Sequence, residues 1–278
     1  MYIFSKTSDD IFHNTKIKEY PDGNIKVTCA SKKVFKESGW ESSEAKERIS
    51  KPKDMTNETR SDSLHRTKEQ IVDIVLCNGF VYFVTLTYDP KEVDRKSPKE
   101  VYRKAHATLS NLVQRYGVSY ILIPEHHKDG AIHFHGFMKG NLTLEDSGRV
   151  KAPRRKKPIK IETAKRYGIS LDECKTVYNL PQWSWGFSIA VKITADEYAA
   201  TSKYVTKYVT KDIQKIFGSA YLSGGNGLIR KAPYTLDDMD YNEFEAQHES
   251  YCAPSDTHFK YYDSTKQLLP QSTEAVTI

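Results

Sequence analysis

At 278 residues, 38% of them hydrophobic, the chain is long enough for one large domain or two small ones around a real core, which excludes disorder as a description of the whole. The uncharged stretch from Ile74 to Tyr88 is shorter than the roughly 20 apolar residues that cross a bilayer and contains the turn pair Asn78-Gly79, so no membrane span is expected. The formal charge of +6 is uneven: from Lys231 onward three lysines face nine carboxylates, leaving about +12 on residues 1–230 and about −6 on the rest. Such a basic body points to a polyanionic partner, most simply nucleic acid, with a solvated basic surface as the alternative.

The first residues reach Asp9-Asp10 before any apolar run develops, so no secretory signal is expected and the chain should stay in a cytoplasm. Cys29, Cys77, Cys174 and Cys252 lie far apart without a C-x-x-C pair and read as reduced packing residues. Ile17–Tyr20 and Ile25–Cys29 are strand-like runs around Pro21-Asp-Gly-Asn24, a hairpin signal. Residues 41–70 are polar and charge-rich, either a flexible connection or a surface helix. Lys68–Leu76 places Ile71, Val72 and Val75 at helical spacing, and Asn78-Gly79 stops it. Phe80–Tyr88, rich in β-branched and aromatic residues, predicts a central strand.

Pro98–Gly117 carries Val101, Ala105, Leu109, Leu112 and Val113 at helical intervals, with Ser97-Pro98 at its start and Gly117 at its end. Val118–Glu125 and Ala131–Met138 predict a hairpin around His126-His-Lys-Asp-Gly130. Residues 141–180, with nine lysines and arginines between Arg149 and Arg166, read as an exposed basic insertion. Trp183–Ile193 predicts a strand, and Thr194–Phe217 a helix with Thr194 as N-cap. This order implies an α+β fold with an antiparallel sheet flanked by helices. The expected organisation is an N-terminal hairpin and polar connection (1–60), a main domain holding the basic insertion (61–220), and an acidic tail (221–278) whose last stretch, Leu268–Ile278, is expected to be disordered.

His133-Phe-His135 puts two imidazoles on one face of a strand, because side chains alternate with period two. A three-residue loop at Lys128-Asp129-Gly130 would set Glu125 opposite His133, with His127 at the edge of the same face; a two-residue turn at Asp129-Gly130 would shift the register by one and turn Glu125 away. In the first register Glu125, His133 and His135 form a mixed N/O site suited to magnesium or manganese, with zinc able to occupy it in vitro. Further on, Tyr204-Val-Thr-Lys207 is followed directly by Tyr208-Val-Thr-Lys211. On a helix, Tyr204, Tyr208, Lys207 and Lys211 fall within a sector of about 100°. Tyr198, Val205, Val209, Ile213 and Ile216 form an adjacent apolar stripe. A phenol is a competent nucleophile on phosphorus when a nearby cation stabilises the phenolate.

Phe83-Val-Thr-Leu-Thr-Tyr88, Ile132-His-Phe-His-Gly136 and the tyrosine repeat 204–211, in that order, resemble the three motifs of HUH endonucleases. The similarity extends to the double-tyrosine rolling-circle replication initiators of small single-stranded DNA phages and Gram-positive plasmids. The resemblance implies metal ligation by His133 and His135 completed by Glu125, and nucleophilic attack by Tyr204 and Tyr208. It implies nicking and joining of single-stranded DNA at a replication origin through a 5′-phosphotyrosyl intermediate, in the cytoplasm of a bacterial host, with a host helicase and polymerase as further partners. Lys207 and Lys211 are expected to stabilise phenolate or phosphate charge, and Arg154, Arg155, Lys156 and Lys157 to bind the DNA backbone. Trp183 and Trp185, alternating with Ser184 on the expected strand, are candidates to stack on bases. The alternatives are an origin-binding protein without catalysis, an HUH relaxase or transposase, and a metal-dependent enzyme acting on small molecules.

Overall fold

Strands whose side chains alternate between two apolar faces build one large antiparallel sheet in the middle of the chain, and helices cover it on both sides. The computed structural model describes residues 11–36, 61–155, 157–207, 216–248 and 258–264. In chain order the elements begin with β1 (Phe12–His13), β2 (Thr15–Glu19), β3 (Ile25–Ala30), β4 (Phe35–Lys36), α1 (Ser61–Asn78), β5 (Tyr82–Tyr88) and α2 (Pro98–Tyr116). They continue with β6 (Ser119–His126), β7 (Ile132–Lys139), β8 (Glu145–Lys151), β9 (Ile159–Lys160), α3 (Ile161–Arg166), β10 (Lys175–Asn179), β11 (Gly186–Lys192) and α4 (Ala195–Val205). The last strands are β12 (Leu222–Gly224), β13 (Tyr234–Asp237) and β14 (Phe259–Asp263). The fold is α+β with a large antiparallel sheet, as the pattern of elements predicts.

The chain divides into two units, the smaller from segments within 1–56 and 232–269 and the larger centred on 57–231. In the smaller unit the expected hairpin forms with Ile17 opposite Val27, closed by the Gly23 N–H donating to the Tyr20 carbonyl at 2.9 Å. Its sheet runs β13-β2-β3-β14, so two strands of the acidic tail pair with the N-terminal hairpin. Val27, Cys29 and Phe244 form its core. Leu268–Ile278 lies outside the described residues.

The sheet of the larger unit has eight strands in the order β12-β6-β7-β5-β11-β10-β8-β9. One face carries Val84, Leu86, Leu122 and Phe134, packed against Val101, Ala105 and Leu109 of α2. That helix starts as expected, with Ser97 Oγ accepting from the Glu100 N–H and Pro98 in the first turn, and ends at Gly117, whose N–H donates to the Val113 carbonyl. The other face carries Phe83, Ile121, Ile123 and Phe137, covered by Ile71, Ile74 and Val75 of α1 and Val205 of α4. Buried Asn78 ends α1 and ties it to Ile229, accepting from its N–H at 2.9 Å and donating to its carbonyl at 2.7 Å. Tyr198 joins α4 to the same corner, donating to the Val75 carbonyl and accepting from the Phe80 N–H, both at 2.6 Å.

Three expectations need correction. α1 starts at Ser61, so the charge-rich residues 61–70 are helical: one side of them meets the core through Leu64, while the exposed side hides the periodicity. Residues 141–180 are not a bare exposed insertion, since β8, β9 and β10 extend the sheet beyond β11. Only Val150, Ala152, Ala164, Val177 and Leu180 are buried hydrophobics there, too few among so many charges to stand out as strands. Finally, the helix from Thr194 does not run to Phe217. Ile216 and Phe217 lie in a turn and pack with the α2 face, whereas Val205 packs with the opposite face. Residues 208–215 lie outside the described residues.

Candidate active site

The geometry of the site starts from the loop after β6. The His127 N–H donates to the Ala131 carbonyl at 2.7 Å and the Gly130 N–H to the His127 carbonyl at 2.9 Å, so the loop is the three-residue one. Gly130 takes the left-handed φ of 82° that this loop needs at its last position, where a side chain would be strained. Asp129 accepts from the Ala131 N–H at 3.1 Å and pairs with Arg95 at 2.9 Å; the first of these, with Arg95 behind it, holds its carboxyl below the usual range. The resulting register sets Glu125 opposite His133 and Ile123 opposite His135.

Glu125, His133 and His135 therefore meet on one face. His133 Nε2 lies 3.2 Å from Glu125 Oε2, His135 Nε2 lies 3.2 Å from the same oxygen, and the two Nε2 atoms are 2.9 Å apart. Donors placed side by side around a cation at about 2.1 Å lie about 3 Å from one another, so this spacing fits a divalent ion. Burial adds a second reason: Glu125 is 6% exposed and His133 8%, and a carboxylate so withdrawn from water needs positive partners. The three residues form a candidate metal-binding triad.

β5 supports them from the other side. Thr85 stands opposite His135 and Thr87 opposite His133. Thr85 Oγ1 is 3.0 Å from His135 Nδ1; with the Nδ1 proton given to that oxygen, Nε2 keeps the lone pair that a metal needs. Phe83 stacks on His135 at 6.4 Å between ring centroids. His127 is exposed at the edge, its ring 5.5 Å from that of His133 and its Nδ1 3.7 Å from Asp129.

Tyr204 approaches this group from α4. Thr194 starts the helix, its N–H and hydroxyl both donating to the Glu197 carboxylate. Burial pushes Glu197 up, but hydrogen bonds from Lys175 and Thr194 outweigh it and hold the carboxyl below its ordinary value. Glu197 thereby clasps α4 to β10. At the far end, the half-buried Tyr204 ring meets Phe83 edge-on at 6.2 Å and carries Lys207 Nζ 3.3 Å from its centroid. Phe83 thus touches both His135 and Tyr204. Tyr208 and Lys211 lie outside the described residues, as does Lys156.

The other expected contacts divide. Arg154 is exposed in the turn after β8 with a left-handed φ of 60°, Arg155 sets its guanidinium 4.6 Å from the Tyr167 ring centroid, and Lys157 is exposed. Lys151 donates to the Arg155 carbonyl, and burial, then the positive charge of Lys207, holds its ammonium below the ordinary lysine value. The basic turn is thus within electrostatic reach of the end of α4. Trp183 and Trp185 do not alternate on a strand, because both precede β11 in a turn closed by the Trp183 N–H and the Leu180 carbonyl. Trp183 is 3% exposed, packed on Tyr88 and Phe134, and its indole N–H donates to the Thr87 carbonyl at 3.2 Å. That burial leaves it no face for a base. Trp185 is half-buried, donates to Thr108 Oγ1 at 2.8 Å and lies under Lys104. Thr85 and Phe83 are missing from the expected site; the period-two alternation that pairs them with His135 and Phe137 was the signal for both.

Residues 81–213, which hold the triad, Thr85, Tyr204 and the rest of the tyrosine repeat, match the family model of replication-associated proteins of the ORF2 group. The match supports a replication initiator family, and with it an interaction with DNA. No curated protein and no solved structure matches the chain. No helix among the described residues is long and apolar enough to cross a membrane.

Proposed function

We propose that this protein initiates rolling-circle replication by nicking and rejoining single-stranded DNA at an origin. The observation that carries the reading is the meeting of Glu125, His133 and His135 beside Tyr204, joined through Phe83, within the segment that matches the replication-associated family. Magnesium or manganese held by the triad would polarise a non-bridging oxygen of the scissile phosphate. The phenol oxygen of Tyr204 or Tyr208 attacks phosphorus, the phosphorus–O3′ bond breaks, and the 3′ oxygen leaves with a proton. One phosphoester replaces another, so the 5′-phosphotyrosyl bond is open to attack by a 3′-hydroxyl, and the same centre closes a circle. Lys207, already over the Tyr204 ring, and Lys211 stabilise the phenolate. Arg154, Arg155, Lys156 and Lys157 track the backbone without reading sequence.

Two tyrosines four residues apart in the sequence allow one to hold the 5′ end while the other cuts a regenerated origin. Tyr208 makes the initial cut, so Tyr208→Phe loses more first-round nicking than Tyr204→Phe, and either variant fails at repeated rounds. The test is manganese-dependent nicking of single-stranded origin DNA. It should vanish in EDTA and in His133→Ala and His135→Ala, while single-strand affinity persists because cationic side chains supply most of it. Nicking at the wild-type rate in both variants would remove the metal assignment. Tight origin binding without cleavage under any divalent ion would leave an origin-binding protein instead.

A further inference from the structure

The row of side chains through the candidate metal site continues across the sheet. On one face, Glu125 of β6 stands opposite His133 of β7, His133 opposite Thr87 of β5, and Thr87 opposite Phe187 of β11. The next row, His135, Thr85 and Ile189, runs beside it. α1 and α4 cover this face farther along, over Phe83 and Phe137, and do not reach Phe187. Phe187 is 66% exposed, the most exposed large apolar side chain among the described residues. A lone exposed phenylalanine means little by itself, but here it borders a groove.

The groove, of about 550 Å³, is floored by Phe187, Ile189 and Val177 and walled by Arg149, Asn179 and Glu145. Its outer wall comes from β8 and β10, the strands that lengthen the sheet beyond β11. Val177 opposite Arg149, and Asn179 opposite Glu145, keep these side chains on the same face as the triad. One strand spacing is about 4.8 Å, so the Phe187 backbone lies about 10 Å from that of His133, two strands away. That reach is short enough for a nucleotide close to a phosphate held at the triad. A flat exposed ring suits any base, a guanidinium suits a phosphate, and Asn179 with Glu145 offers a donor and an acceptor to a base edge. Glu145 also repels phosphate at its end of the groove, leaving the Arg149 side for the backbone.

We propose that this groove is a single-stranded nucleic-acid subsite, in which Phe187 stacks on an unpaired base and Arg149 holds a neighbouring phosphate. It rests on the nicking-and-joining reading above, because that reading supplies the strand whose phosphate sits at the triad. The test uses the full chain and a fluorescent oligo(dT) strand in EDTA, so that binding is read without cleavage. Phe187→Ala should weaken binding about 5- to 150-fold, Phe187→Trp should hold it near wild type, and Arg149→Gln should lower the salt slope by about 0.7. Wild-type affinity in Phe187→Ala with an unchanged circular dichroism spectrum would overturn the proposal. So would a wild-type dimer that Phe187→Ala makes monomeric, since the ring would then belong to a second copy of the chain. The two readings separate in the outcomes: a protein that binds through Phe187 but never cuts loses only the nicking, and a Phe187→Ala variant that binds and cuts like wild type loses only the subsite.

Discussion

The two faces of the eight-stranded sheet share the same strands and have opposite fates. Against α2, Leu86, Tyr88, Leu122 and Phe134 are sealed to 1% exposure or less. Even the polar group there is closed off: the Tyr88 hydroxyl donates to the Val101 carbonyl at 3.0 Å, and burial pushes its phenol far above the ordinary value, so it stays protonated. On the opposite face α1 and α4 seal only one end, and the remainder presents Glu125, His133, His135 and Phe187. Strand alternation lets one sheet carry a stability side and a chemistry side one residue apart, His133 and His135 on one and Phe134 on the other.

That contrast can be broken most strongly at Phe134. Its change to Ala should cost about 3–5 kcal/mol of unfolding free energy in urea, whereas His133→Ala should cost less than about 1 kcal/mol and abolish nicking. Equal losses of stability would mean the two faces are not divided in this way. A smaller effect sharpens the chemistry side. Thr85→Val keeps shape but removes the oxygen beside His135 Nδ1, and manganese affinity measured by calorimetry should fall about 10- to 100-fold.

Neutralising Arg154, Arg155 and Lys157 together should weaken single-strand binding alike for all sequences and flatten its salt dependence; an unchanged slope would make this turn a solvated surface. The smallest effect concerns the clasp of α4. Because the Glu197 carboxyl is held below its ordinary 4.5, its stabilisation is full above that value and is lost as pH falls through the lower folded one. Glu197→Gln should therefore lower stability at neutral pH by less than about 1 kcal/mol, given its partial exposure, and the gap to wild type should close in acid titration of the melting temperature.

What was legible in the sequence follows the strength of the local signals. The Glu125, His133 and His135 cluster was readable because period-two alternation and a loop ending in Asp129-Gly130 fix register together, although only the structure chose the three-residue loop over the two-residue turn. α2 was readable from Ser97-Pro98, the buried stripe and Gly117. By contrast, β8, β9 and β10 were hidden because their outward residues are charged and few inward ones are apolar. Trp183 misled for the reverse reason: an indole can face bases or a core, and only the three-dimensional neighbours Tyr88 and Phe134 decide. Phe187 was passed over because its role depends on Thr87 and His133, more than 50 residues away in the chain.

The most direct measurement is to map the covalent product. Protein incubated with manganese and single-stranded origin DNA, denatured in SDS, digested and analysed by mass spectrometry should yield a nucleotide attached to a peptide carrying Tyr204 or Tyr208, and none from the double Phe variant. An adduct on a peptide containing neither tyrosine, or cleavage that leaves no protein-linked 5′ end, would contradict the proposed chemistry.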